Sequence, residues 1–245
     1  MFHRLLLNPE AQDFIRNYTE DTATLAFKGS PFPDISVQEL LQQIDSRRRI
    51  EKKLPLWFET PNIVYPPKLN LEQTSSEITA IYKASLVSNG SLADLTGGFG
   101  IDSFYFAKQV NSVHHFEINK ELSAIAKHNF QVLKTKNIQC FASDGITAAT
   151  KTHYDTIYAD PSRRHDSKGK VFFLKDCELN IPEVLPKLLQ NCGTLLLKTS
   201  PMLDIDVGLD ELKSVSEIPI VAVNNDVKEL LWLVKQNHTE KIKIK

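Results

Sequence analysis

Polar and apolar positions fall into two regimes along the chain. Over the first ~70 residues apolar positions recur at helical spacing and then lose any period, whereas from residue 91 short apolar runs alternate with longer stretches of helical period. In the first regime Val37, Leu40, Leu41 and Ile44 make one helical stripe. Ser36-Val37-Gln38-Glu39 in front of it is a capping box, with Ile35 and Leu40 spaced as a hydrophobic staple. That helix is expected to end in Arg47-Arg48-Arg49, whose charge suits a helix C-terminus. From Leu54 to Leu71 the prolines at 55, 61, 66 and 67 predict extended pieces linking this helical unit to the main domain.

Thr74-Ser75-Ser76-Glu77 reads as a second capping box, opening a helix with Ile78, Ile81 and Tyr82 on one side. Strand and helix patterns then alternate. Strands are expected at 91–95, 112–116, 138–142, 156–159 and 194–197, helices at 101–110, 120–135, 182–189 and 203–212, and two β-rich runs at 218–223 and 230–234. Such alternation implies right-handed crossovers and a parallel sheet with helices on both faces. The short polar turn between the last two runs predicts an antiparallel pair. The expected fold is therefore α/β and Rossmann-like: a mostly parallel, seven-stranded sheet with an antiparallel C-terminal strand pair, plus a small N-terminal helical region. Residues 1–70 are expected to form the helical region and its extended linker, and residues 71–245 the main domain.

Composition narrows the setting. At 245 residues and 42% apolar, the chain can bury a substantial core. The N-terminal apolar run, Met1 to Leu7, is too short for a signal peptide, and no later run approaches the ~20 apolar residues of a membrane span, so a cytoplasmic location is expected. Cys140, Cys177 and Cys192 are odd in number and lack metal spacing, which argues against disulfides and structural zinc. The 29 basic and 30 acidic residues nearly cancel, so any polyanion contact must be local. Two clusters qualify: Arg47 to Lys53, and Arg163, Arg164, Lys168 and Lys170. Each reads either as a phosphate contact or as a solvated face.

The candidate chemistry lies at successive strand ends. Ser91-Leu92-Ala93-Asp94-Leu95-Thr96-Gly97-Gly98-Phe99-Gly100-Ile101-Asp102 is an apolar run ending in an acid, then a glycine turn, then a helical pattern. Glycines let backbone approach a ligand where a Cβ would not fit, and the helix after them directs free amides at it. Glu117 comes after the second strand and offers two carboxylate oxygens to two ribose hydroxyls. Asp144 comes after the third, placed to accept from an adenine amino group, and Asp160-Pro161-Ser162-Arg163-Arg164 after the fourth. Taken in order, these stations imply an S-adenosylmethionine site, with Asp160 either touching the cofactor or holding the methyl acceptor. Singly, Glu117 also reads as a helix N-terminal acid and Asp144 as an Asx turn. A dinucleotide site is disfavoured, because Ser103 stands where the third fingerprint glycine would be. His114-His115 is expected to pack or face solvent, and Cys140 and Cys192 to lie in the core. Trp57-Phe58 and Tyr65 read as an aromatic lid over the core, with a stacking platform as the alternative.

These residues resemble the class I S-adenosylmethionine-dependent methyltransferases from about Leu71 onward. The run Asp94 to Phe104 is similar to the cofactor loop of bacterial ribosomal RNA guanine-N2 methyltransferases. Gln73 to Ala80 together with Asp160 to Arg164 is more similar to a bacterial methyltransferase group that often carries a C-terminal THUMP-like module; these 245 residues are expected to leave no room for it, the readings being a fragment, a shorter relative, or a protein whose RNA contacts lie elsewhere. The resemblance implies cofactor contacts from Asp94, Thr96, Gly97, Gly98, Gly100, Asp102, Glu117, Asp144 and Ser75, with Asp102 toward the methionine end and Gln73 to Ser76 closing over it. It implies catalytic roles for Asp160, Pro161, Ser162 and Arg163, with RNA as substrate and no metal or membrane partner. The sequence departs from the usual base-amino motif, since Ser162 stands in place of the second proline and Arg163 in place of the aromatic ring. A non-catalytic RNA-binding protein of the same fold, and a methyltransferase acting on a small molecule or a protein, are the other readings.

Overall fold

The computed structural model describes residues 4–162 and 173–245. Arg163 of the expected site, with Arg164, Lys168 and Lys170, lies outside the described residues. Among them the helices are α1 (Pro9–Asn17), α2 (Thr22–Lys28), α3 (Val37–Ile50), α4 (Pro55–Glu59), α5 (Lys68–Gln73), α6 (Glu77–Ser85), α7 (Ile101–Phe106), α8 (Lys120–Val132), α9 (Gly145–Ala149), α10 (Ile181–Gln190) and α11 (Ile205–Glu211). The strands are β1 (Ser91–Asp94), β2 (Ser112–Phe116), β3 (Ile138–Phe141), β4 (Tyr154–Ala159), β5 (Cys192–Thr199), β6 (Val215–Ile218), β7 (Ile220–Val223), β8 (Asp226–Val234) and β9 (Lys243–Ile244). They divide into two compact units. Residues up to 86, 97–109 and 117–143 form the first; 87–96, 110–116 and 144–245 form the second.

The first unit is mainly helical. Ser36 accepts from Glu39 N while the Glu39 carboxylate accepts from Ser36 N, so the predicted capping box is formed at the start of α3. Ile35 and Leu40 are buried with Ile44, Ile15 and Leu25 in one cluster. The expected C-terminal charges also serve contacts: Arg48 donates to the carbonyls of Tyr18 and Glu20, and Arg47 stacks on Phe58. Trp57 and Tyr65 are buried, as the lid reading expected.

Two local expectations need correction. The segment 54–71 is not wholly extended, because Pro55 occupies the first turn of α4, where a missing amide costs nothing, and Pro67 precedes α5 as its N-cap. In α6 the N-cap is Ser76, which accepts from Thr79 N, and not Thr74. That helix buries Thr79, Ala80, Lys83 and Ala84, leaving Ile78, Ile81 and Tyr82 exposed. Its apolar stripe is thus not its core face. The stripe was the wrong guide because the buried side holds small residues and one paired lysine.

The second unit carries a mixed sheet in the order β2-β1-β4-β5-β8-β6-β9, with β7 also on β8. β2, β1, β4 and β5 are parallel. β8 runs antiparallel to β5, β6 and β7. The predicted C-terminal pair is β7 and β8, joined through Asn224 and Asn225 at φ 53° and 60°. Two consecutive positive φ values match a type I′ hairpin, whose twist suits antiparallel strands. Consecutive residues Ile157, Tyr158 and Leu195 to Leu197 are buried, the mark of strands covered on both faces. From β1 the chain goes to β2 on one side and later to β4 on the other. That reversal is the point at which open α/β sheets bind ligands, beyond the strand carboxyl ends.

His115, in β2, is fully buried, and burial pushes its pKa down to about 4. A neutral imidazole in the fold against an ordinary one in the unfolded chain means that the unfolded state takes up the proton first. Stability contributed by this residue should therefore be full above about pH 6.5 and decline toward pH 4, by about 3 kcal/mol at most. Urea unfolding across that range, compared with His115→Gln, should show the variant with the shallower acid limb; equal slopes would contradict it.

Candidate cofactor and acceptor site

In the second unit the carboxyl ends of β1 and β4 meet through one hydroxyl. Asp94 closes β1, is buried, and accepts from Thr96 N at 3.1 Å. Leu95 N continues the ladder to Tyr158 O at 2.9 Å, and Thr96 Oγ1 accepts from Asp160 N at 2.7 Å. The peptide that opens the Asp160-Pro161-Ser162 segment is therefore held by Thr96, two residues past the end of β1. Asp160 also pairs through Oδ2 with Lys198 Nζ, which lies near the end of β5. Ser162 Oγ donates to Glu178 at 2.7 Å, while Ser162 O accepts from Glu178 N at 3.0 Å. Pro161 is buried. Asp144 is the N-cap of α9, accepting from Ile146 N, Thr147 N and Thr147 Oγ1. It is exposed, so its Asx role leaves it open to solvent.

In the first unit the glycines form the turn itself. Gly98 and Gly100 have φ of 56° and 92°, the left-handed region that side chains disfavour. A Cβ on Gly100 would also fall 2.4 Å from Phe130 Cζ, so the position is closed on two counts. Gly100 N donates to Gly97 O at 2.9 Å, tightening the turn. Glu117 fastens it: Oε2 accepts from Gly98 N at 2.9 Å and Oε1 from Asn119 N at 2.7 Å. Each carboxylate oxygen has a second lone pair, and the side chain is half-exposed, so acceptor capacity remains. Beneath the turn, Trp57 packs on Phe99 and Phe104 with centroids 4.8 and 5.7 Å apart.

Asp102 is more engaged than the sequence implied. Its Oδ2 accepts from Ser75 Oγ at 2.8 Å, and Oδ1 lies 3.2 Å from Lys83 Nζ, which also donates to Ser75 Oγ at 2.9 Å. Lys83 is 0% exposed, so this serine-lysine-aspartate group is a charged network taken out of water. Such a pair survives burial only when its geometry and hydrogen bonds offset the desolvation. The expected helix behind the turn, α7, has only six residues and Gly100 gives it no side-chain cap.

Sequence reasoning missed Lys83 and Lys198. Lys198 carried a signal, since it interrupts the apolar run Leu195 to Leu197 one position past the Ala159–Leu197 pair and so stands level with Asp160. Lys83 carried none, lying outside the stripe of Ile78, Ile81 and Tyr82 in α6. Among the described residues no cluster of His, Cys, Asp or Glu could hold a metal ion, and no helix is long and apolar enough to cross a membrane. Cys177 and Cys192 are buried and Cys140 partly so, all as free thiols. His114 Nδ1 lies 2.8 Å from the Tyr154 hydroxyl.

The sequence matches no protein-family model and none of the curated proteins. Among solved structures, a presumed methyltransferase of Porphyromonas gingivalis W83 is similar over 93% of this chain, with 29% identity and a TM-score of 0.83. The fold is that of a methyltransferase. This chain spans 57% of that protein's length. Weaker likenesses include the M. jannaschii tRNA m1G37 methyltransferase, at 16% identity, 69% of this chain, 51% of that one and a TM-score of 0.47. A presumed methyltransferase of Streptococcus mutans in complex with SAH, at 12% identity, covers 65% of this chain and 96% of its own, also with a TM-score of 0.47.

Replacing Lys83 with Met would leave the Asp102 carboxylate facing a buried, uncharged neighbour. Breaking a buried pair from one side costs ~3–5 kcal/mol, so K83M should be strongly destabilised in urea unfolding, and K83M/D102N markedly less so than the sum of the singles. Additive losses would show that the pair is not coupled.

Proposed function

We propose that this protein is an S-adenosylmethionine-dependent methyltransferase that methylates a base nitrogen of RNA. The observation that carries the cofactor reading is the glycine turn with positive φ at Gly98 and Gly100, its backbone fastened to the half-exposed carboxylate of Glu117. Backbone free of Cβ atoms beside an acid with spare lone pairs fits a ribose with its flanking chain. The likeness to the P. gingivalis protein supports the same reading. RNA as acceptor rests on the sequence resemblance and on the basic clusters.

In this reading residues 71–245 form the cofactor-binding domain, and Asp94, Thr96, Gly97, Gly98, Gly100, Asp102, Glu117, Asp144 and Ser75 hold the cofactor. Glu117 takes the ribose hydroxyls and Asp144 the adenine amino group. Asp102, oriented by Ser75 and Lys83, serves the methionine end. The bound cofactor supplies a methyl group already made electrophilic by its sulfonium. What remains for the protein is positioning, which can supply much of a rate enhancement when the attacking atom is held in line. Asp160 accepts a hydrogen bond from the acceptor nitrogen's N–H and so orients its lone pair. Lys198 pairs with the Asp160 side chain, and the Thr96 hydroxyl fixes its backbone. Pro161, Ser162 and Arg163 shape the acceptor side, with Arg163, Arg164 and the arginines of α3 contacting phosphates.

Calorimetric titration should give micromolar binding of S-adenosylmethionine to the wild type, with Asp94→Ala and Glu117→Ala each weakened more than about tenfold, that is ~1.4 kcal/mol. Asp160→Ala should keep cofactor affinity within about tenfold and lose transfer of labelled methyl to RNA. Asp102→Asn should weaken S-adenosylhomocysteine and leave 5′-methylthioadenosine, which lacks the amino-acid end, unchanged. A wild type that binds no cofactor would mean that the fold persists without this chemistry.

A further inference from the structure

A cavity of about 250 Å³ in the first unit lies outside the glycine turn, lined by residues of α1 and α3 and the segment 60–65. Arg16, Arg47, Asp13, Gln12, Asn62 and Tyr65 bring polar groups to it, and Ile15 and Ile63 supply buried apolar wall. Its irregular wall is fixed on both sides. Gln43 exchanges two hydrogen bonds with the Tyr65 backbone, at 2.9 and 2.7 Å, and Asn129 exchanges two with Val64, at 2.9 and 2.8 Å. A buried amide that pairs with both the N–H and the C=O of a loop residue replaces the missing ladder there, so the cavity exists before any ligand arrives.

The charge in it is unbalanced. Arg47 lies with its guanidinium carbon 3.7 Å over the Phe58 ring and makes one hydrogen bond, to Phe58 O at 3.3 Å. Arg16 is exposed, and among the described residues neither arginine is within ion-pairing distance of a carboxylate. Burial holds the Arg47 pKa below its usual value and the Arg16 charge adds to that, while Tyr65, Glu59 and Glu51 act in the opposite direction. Two guanidinium groups share the cavity with the single carboxylate of Asp13, which is not within ion-pairing distance of either, and the excess positive charge favours an anion with several acceptor oxygens, which Arg binds through its planar fork. The other polar lining is of a different kind: the Asp13 carboxylate accepts from hydroxyls, and the Gln12 and Asn62 amides both donate and accept. Anion donors beside hydroxyl acceptors, against an apolar wall, are the chemistry of a ribose-phosphate. The volume falls just under the ~300–1,000 Å³ of drug-sized ligand sites and suits one such unit rather than a dinucleotide.

We propose that this cavity binds one ribose-phosphate unit of the RNA substrate. The proposal rests on the RNA reading above and adds to it a built subsite on the N-terminal helices. A free nucleotide shares the chemistry, so the test includes both.

Binding of a labelled single-stranded 12-mer RNA is measured by fluorescence anisotropy at several salt concentrations for wild type, Arg16→Glu, Arg16→Lys and Lys127→Glu. Arg16 is exposed, so its replacement leaves the fold intact, and unchanged S-adenosylmethionine affinity checks this. Arg16→Glu is expected to weaken RNA binding about tenfold and to lower the salt slope by about one, with Arg16→Lys largely restoring it. Lys127→Glu, the same charge reversal on exposed α8 surface outside the cavity, should change affinity by less than about threefold. Equal losses at both sites would overturn a specific subsite. Unchanged RNA binding and methylation in Arg16→Glu would overturn the cavity and leave the RNA reading standing. Adenosine monophosphate bound by wild type and lost in Arg16→Glu, with RNA binding unaffected, would overturn RNA as the source. A wild type that does not bind the 12-mer would overturn the subsite and the RNA reading together.

Discussion

One hydrogen bond constrains much of this protein: the carboxylate of Glu117 accepting from the backbone amide of Gly98. The amide belongs to a turn whose φ values only glycine adopts without cost, and the acid sits just past β2. A charged acceptor makes this bond stronger than a neutral one. It also fixes a loop that would otherwise be free to open, since its glycines have the most conformational entropy to lose. The aromatic group of Trp57, Phe99 and Phe104 gives the same loop an apolar support, so the turn is held both by charge and by packing.

Elsewhere the structure repeats one device: a polar side chain satisfies backbone or charge that regular structure leaves open. Thr96 holds the peptide of Asp160, Asn129 and Gln43 hold the segment 60–65, and Ser75 completes the pair of Lys83 with Asp102. Each places a group with chemical potential in a fixed position at the cost of burying polar atoms. Such networks rigidify when fully satisfied and destabilise when broken from one side. This explains why the residues most exposed to functional readings are also tied into the fold.

Much of the fold was legible before the structure because it rests on short-range pattern. The alternation of apolar runs marked β1, β2, β4, β5 and β8, the capping box at Ser36 marked α3, and the short polar turn marked the hairpin of β7 and β8. Where local signal and packing disagreed, local signal failed. Ile78, Ile81 and Tyr82 made the apolar stripe of α6, yet the helix buries Thr79, Ala80 and Lys83. The two short helices α4 and α5 were hidden by prolines that occupy helix starts rather than interiors.

The site divides in the same way. Sequence by itself determined the glycine turn and the places of Asp94, Asp144, Glu117 and Asp160 at or just past strand ends, because backbone conformation and position at a strand end are properties of neighbouring residues. Only the tertiary structure decided that Lys83 is buried against Asp102 and Ser75, that Lys198 pairs with Asp160, and that Arg16 and Arg47 line one cavity. Lys83 has no mark in the sequence of being paired, and the position of Lys198 after an apolar run does not name its partner. The partner lies 19 residues away in one case and 38 in the other, and only the fold brings such groups together.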